Sequence, residues 1–208
     1  MLTKRIRALG LAAILVAWSL LSPRLPSRWH PVTHAAFGTA LAALTHTAVG
    51  LRRWSGVRLG LLSAGSVVLG AAIATALPRV REEMVDRNLP DGTLHWLLLG
   101  IPFGTVWSEE AAYRGALGTV AADAFGPAGG RLVQSATFGL SHIADARRTG
   151  EPVVPTVLVT ALAGWVFGWL YERSGSLLAP ALAHLAINEA GAVSALALQR
   201  LRSDHDQF

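Results

Sequence analysis

Apolar residues in this chain come in long unbroken blocks. They show neither the strict alternation of strands nor the one-sided stripe of a soluble helix. The blocks run over residues 8–21, 32–51, 57–77, 93–120, 129–146, 153–171 and 176–198. A helix needs about 20 apolar residues to cross roughly 30 Å of hydrocarbon. The pattern therefore predicts an all-α, polytopic transmembrane bundle of about seven spans, with six to eight inside the range it allows. A β-barrel is disfavoured, because its strands would alternate. The first block follows Lys4, Arg5 and Arg7, as a signal peptide would, but Ser22-Pro23-Arg24 replaces a small-x-small cleavage site. It reads as an uncleaved first helix. The longest polar loop covers 78–91, and 199–208 is a polar tail. Three regions follow: membrane helices over 1–92, a second helical region over 93–198, and the tail.

Composition sharpens this picture. The chain has 208 residues, of which 52% are hydrophobic and 15% charged, and it has no cysteine. That removes disulfides, thiolate-bound zinc, iron–sulfur clusters and a thiol nucleophile. Eighteen basic residues against 13 acidic ones give a formal charge of +5. All but Lys4 of the basic residues are Arg, and nearly all sit in short gaps between apolar blocks. Such loops suit a lipid headgroup surface. No basic stripe with interleaved aromatics is present, so nucleic acid is not an expected partner. The loop arginines divide almost evenly between the two sides, so the positive-inside rule gives no orientation. Trp18, Trp29, Trp54, Trp96 and Trp169 lie near block ends, where interfacial anchors belong. Arg- and Ala-rich, Lys-poor usage points to a bacterial cell membrane.

A few charges are not in loops. Each costs about 2.5–3.5 kcal/mol at the bilayer centre, so it needs a partner or a task. The fourth block carries Glu109-Glu110-Ala111-Ala112-Tyr113-Arg114. Glu110 and Arg114 are i and i+4 and can pair. Glu109 is rotated by about 100° and is left to face another helix. The fifth block carries Phe138 and His142, the seventh His184 and Asn188, each again i and i+4, with Glu189 alongside. At 1.5 Å per residue, Glu109 lies roughly 16 Å from the Val120 end, His142 roughly 20 Å from Gly129 and His184 roughly 12 Å from Ser176. All three fall near the middle of a ~30 Å core. Taken singly, each group has a structural reading: an ion pair, packing histidines, an amide joining helices. Their common depth points to a shared site.

These residues resemble the motifs of the CAAX prenyl endopeptidase and bacteriocin-processing (CPBP) family of intramembrane proteases. Its three motifs stand here in order, as Glu109-Glu110-x-x-x-Arg114, Phe138-x-x-x-His142 and His184-x-x-x-Asn188. The resemblance covers about 93–198 and marks that region as a CPBP-like protease core. It implies an endopeptidase that cuts a membrane-associated protein or peptide. Glu109 would be the catalytic carboxylate, and a low-dielectric cavity makes a carboxylate a better base for water. His142 would help polarise that water. His184 and Asn188 would stabilise the oxyanion. Glu110 and Arg114 would form a structural ion pair, with Phe138 in support.

A metal-free glutamate mechanism is favoured and no cofactor is expected. The alternative is a zinc enzyme with Glu109, His142 and His184 as ligands. Other readings are a rhomboid-type serine protease using Ser141 and His184, a proton-coupled transporter, and a non-catalytic bacteriocin-immunity protein. Gly139-Leu140-Ser141 is followed by His142 where a rhomboid-type site needs Gly. His95 is expected at the interface, and His30, His34 and His46, outside the motif-bearing half, are given no catalytic role.

Overall fold

The computed structural model describes residues 1–26 and 29–205. Arg28, counted above among loop charges, and the last three residues of the tail lie outside the described residues. The described residues contain helices and no strand. Helix α1 spans Leu2–Leu21, α2 His30–Leu44, α3 Trp54–Thr75 and α4 Pro78–Val85. A short α5, Thr93–His95, leads into two wide, π-helical stretches, π1 (Trp96–Trp107) and π2 (Glu110–Leu117). Then follow α6 (Gly118–Ser141), α7 (Ile143–Thr149), α8 (Val153–Ser174) and α9 (Leu178–His205).

Among the described residues, four helical segments are long and apolar enough to cross a membrane by themselves: Leu2–Arg24, Trp54–Thr75, Val153–Ser174 and Leu178–Ser203. That count does not confirm the expected seven spans, and the other three blocks fall short of the criterion for local reasons. α2 has 15 residues, about 22 Å of helix at 1.5 Å per residue. The fourth block is interrupted by its π-helical turns, with Pro102 inside π1. The fifth is shortened, because the helix stops at His142 and α7 is a separate short piece. α9 runs on to His205, so the expected polar tail begins as helix.

The rod from Thr93 does not end near Val120, where its apolar pattern fades. It continues through Phe125 and reverses at Gly126, whose φ of 76° and ψ of 169° break the helix ahead of Pro127. A β-carbon would be strained at that φ, so glycine permits the turn. Beyond it the two arms lie against each other. A β-carbon on Gly130 would collide with the backbone of Ala121 and Ala122, and the Tyr113 and Phe138 rings meet edge-on at 5.1 Å. These contacts join residues nearly equidistant from Gly126. By the same register Glu109 and His142 stand level.

Three packed clusters surround this hairpin. α1 lays Ala8 and Leu15 against Ala112, Leu117, Ala121 and Phe138. Phe167 and Leu170 of α8 pack on Ala179 and Ala183 of α9. Ile101 and Val106 of π1 pack on Ala192. The α2–α3 loop is tied to the α8–α9 turn: Leu177 donates to the Val49 carbonyl (3.0 Å) and Tyr171 to that of Ala48 (2.9 Å). Trp29 and Trp54 are exposed as anchors should be, whereas Trp18 is turned inward and stacks on Phe37 at 4.2 Å.

Candidate active site

The most deeply buried charges come first. Glu110 and Arg114 have no exposed side-chain surface, and Arg114 Nε lies 3.3 Å from Glu110 Oε2. The guanidinium is also held between aromatic faces, 3.9 Å from the Phe138 ring centre and 4.9 Å from that of Phe167. Cation–π contact of this kind is worth more when desolvated. Glu110 uses its other oxygen elsewhere: His184 Nδ1 donates to Oε1 at 2.8 Å. Phe167 stacks on the His184 ring at 5.0 Å. A buried Arg–Glu–His chain thus fixes one imidazole from α9 against π2.

Its free nitrogen, His184 Nε2, lies 3.9 Å from Glu109 Oε2. Adjacent glutamates thereby address opposite nitrogens of one ring. An α-helix would turn them about 100° apart. The wide π-helical turn beginning at Glu110 holds more residues, so neighbouring side chains diverge less. Glu109 keeps 26% of its side-chain surface exposed, yet its Oε2 atom is buried without a hydrogen-bond partner among the described residues.

His142 closes α6. Its Nδ1 donates to the Phe138 carbonyl at 2.7 Å, which leaves Nε2 of the neutral ring as an acceptor. Asn188 donates one amide hydrogen to the His184 carbonyl at 3.2 Å and has a second to offer. Glu109, His142, His184 and Asn188 all line one cavity of about 600 Å³. Glu110, Arg114 and Phe138 are buried behind it. Nothing places Glu189 on that wall. His95 is exposed on α5, away from the cavity, and so is His46 in the α2–α3 loop.

Among the described residues, no group of three His, Cys, Asp or Glu is placed to hold a metal ion. Ser141, the nucleophile of a rhomboid-type alternative, donates to the Phe138 carbonyl at 2.8 Å and, among the described residues, makes no hydrogen bond to His184.

Comparison with known proteins bears on the same stretch of chain. Residues 91–190 match the family model described as Type II CAAX prenyl endopeptidase Rce1-like. Over this segment the chain is similar to the CPBP family of CAAX prenyl endopeptidases. No curated protein and no solved structure shows a significant match. That similarity implies a membrane-embedded protease acting on a protein or peptide.

The Rce1-like segment supplies only part of the cavity wall. His30 and His34 of α2, set aside on sequence grounds, also line it, as does Trp18 of α1. A signal was present: His34 is an ionisable residue inside the apolar block 32–51, four positions after His30, and so meets the same criterion as the motif residues.

Proposed function

We propose that this protein is a multi-pass endopeptidase of the bacterial cell membrane. Its catalytic core is 93–198, and it hydrolyses a peptide bond in a membrane-associated protein or peptide without a metal. The observation that carries this reading is the convergence of Glu109, His142, His184 and Asn188 on one cavity. They come from three separate stretches of sequence.

The chemistry follows from the contacts. Water in the cavity gives one hydrogen to Glu109 and is oriented by the acceptor Nε2 of His142. Its oxygen adds to the scissile carbonyl carbon. The oxyanion so formed is met by the second amide hydrogen of Asn188 and by Nε2–H of His184 in its cationic form. Collapse breaks the C–N bond, and Glu109 returns its proton to the leaving amine. Glu110 orients His184, and Arg114 balances the buried carboxylate. Arg cannot be deprotonated, so that counter-charge is permanent.

The test is Glu109→Gln, expressed in cells that lack the gene. New peptide termini in the membrane proteome, present with the wild type and missing with the variant, are expected. Identical termini for both would refute hydrolysis by Glu109.

A further inference from the structure

α2 is pressed against the stretch that leads to Glu109. A β-carbon on Gly104 would sit 3.0 Å from Pro31 Cα, and one on Gly38 would collide with the Ser108 carbonyl. Trp107 Nε1 donates to Thr39 Oγ1 at 2.9 Å. His34 lies between Pro31 and Gly38, so these approaches on either side of it hold its ring against π1. The ring is further fixed by His30, stacked at 5.6 Å, and by Trp18, edge-on at 5.6 Å.

His34 Nε2 is buried and has no hydrogen-bond partner among the described residues, and the same is true of Glu109 Oε2. Both residues line the same cavity, and each lies within electrostatic reach of the other. Buried polar atoms are almost always satisfied, by ordered water where protein does not reach. A nitrogen and a carboxylate oxygen left over in one polar cavity define the two ends of a water site. The other buried orphan atoms, on Glu110, Arg114, Arg131 and Gln134, belong to residues outside the cavity lining.

We propose that His34 is a further catalytic residue, holding the hydrolytic water on Glu109 from the α2 side while His142 holds it from α6. This rests on the hydrolytic reading above. It assigns part of the site to the amino-terminal region, outside the family-matched segment. With Glu109 and His142 accepting the two hydrogens of the water and His34 Nε2–H donating to one of its lone pairs, the water is restrained by residues of separate helices and its remaining lone pair is aimed at the scissile carbonyl.

The test compares membrane-proteome termini from cells expressing wild type, Glu109→Gln, His34→Phe, His34→Leu and His34→Gln. Protein level and thermal unfolding in detergent are followed in parallel. His34→Phe and His34→Leu are expected to lower wild-type termini by about tenfold, the worth of one well-made hydrogen bond. His34→Gln, which restores a polar head, is expected to recover part of the loss. Wild-type cleavage by either apolar variant, with Glu109→Gln inactive, overturns the role of His34 and leaves the hydrolytic reading standing. Loss in the apolar variants with no recovery by a stably folded His34→Gln also overturns it, because packing would then suffice as the cause. Unchanged termini in Glu109→Gln overturn both.

Discussion

His184 and Glu110, separated by 74 positions, are joined at 2.8 Å through Nδ1 and Oε1. Glu110 is therefore shared: one oxygen orients an imidazole of the cavity wall, the other faces Arg114 at 3.3 Å. Sequence spacing exposes only the second of these duties.

Removing Glu110 alone strands a guanidinium with no exposed surface. Breaking a buried pair this way costs about 3–5 kcal/mol, while replacing both partners by apolar groups is often neutral. Glu110→Ala is expected to lower the thermal midpoint in detergent sharply. The joint change Glu110→Leu with Arg114→Met is expected to recover most of that stability but no cleavage, since His184 loses its acceptor. Cleavage by the double variant would show that Glu110 has no orienting role.

Gly38 faces the Ser108 carbonyl, one residue before Glu109, with no room for a β-carbon. Gly38→Ala is expected to push α2 outward, reduce stability by about 1–3 kcal/mol as overpacking does, and depress cleavage. Gly65, in α3, has nothing within 4 Å, so Gly65→Ala is expected to be neutral or to add about 0.5–1 kcal/mol. Thermal unfolding of both variants checks the contrast.

Ser141 spends its hydroxyl on the Phe138 carbonyl. Ser141→Ala is expected to leave cleavage within a few-fold of wild type. Its complete loss, with the protein folded, would favour a serine nucleophile.

The donor groups of the cavity do not assemble into a three-ligand metal cluster. Purified protein treated with a strong chelator is expected to keep its activity and its thermal midpoint. Loss restored by added zinc would reverse the metal-free assignment.

Much of the site was legible because its chemistry is expensive in lipid. Glu109, Glu110, Arg114, His142 and His184 stand out as ionisable groups inside apolar blocks, and i, i+4 spacing already pairs Glu110 with Arg114. Span count was less legible. Blocks of similar hydropathy fold into full helices, the short α2 and an interrupted rod, and hydropathy does not register π-helical turns or the reversal at Gly126. The motifs give His34 no role because it lies outside the region that carries them, and the close packing of α2 on π1, Pro31 at Gly104 and Gly38 at Ser108, is a relation that periodicity cannot express. Trp18 was misplaced for a similar reason: proximity to a block end suggested an anchor, while its actual neighbour is Phe37.

The reversal at Gly126 has a consequence for how this chain can change length. Glu109 and His142 are level because each is counted along its own arm from that one residue. One residue added to either arm would displace its cavity-lining side chain by about 1.5 Å and swing it about 100° around the helix axis. Insertions in an arm are tolerable only as matched events on both sides of the turn. The short connection between α7 and α8, residues 150–152, lies outside both arms, so its length does not alter this register.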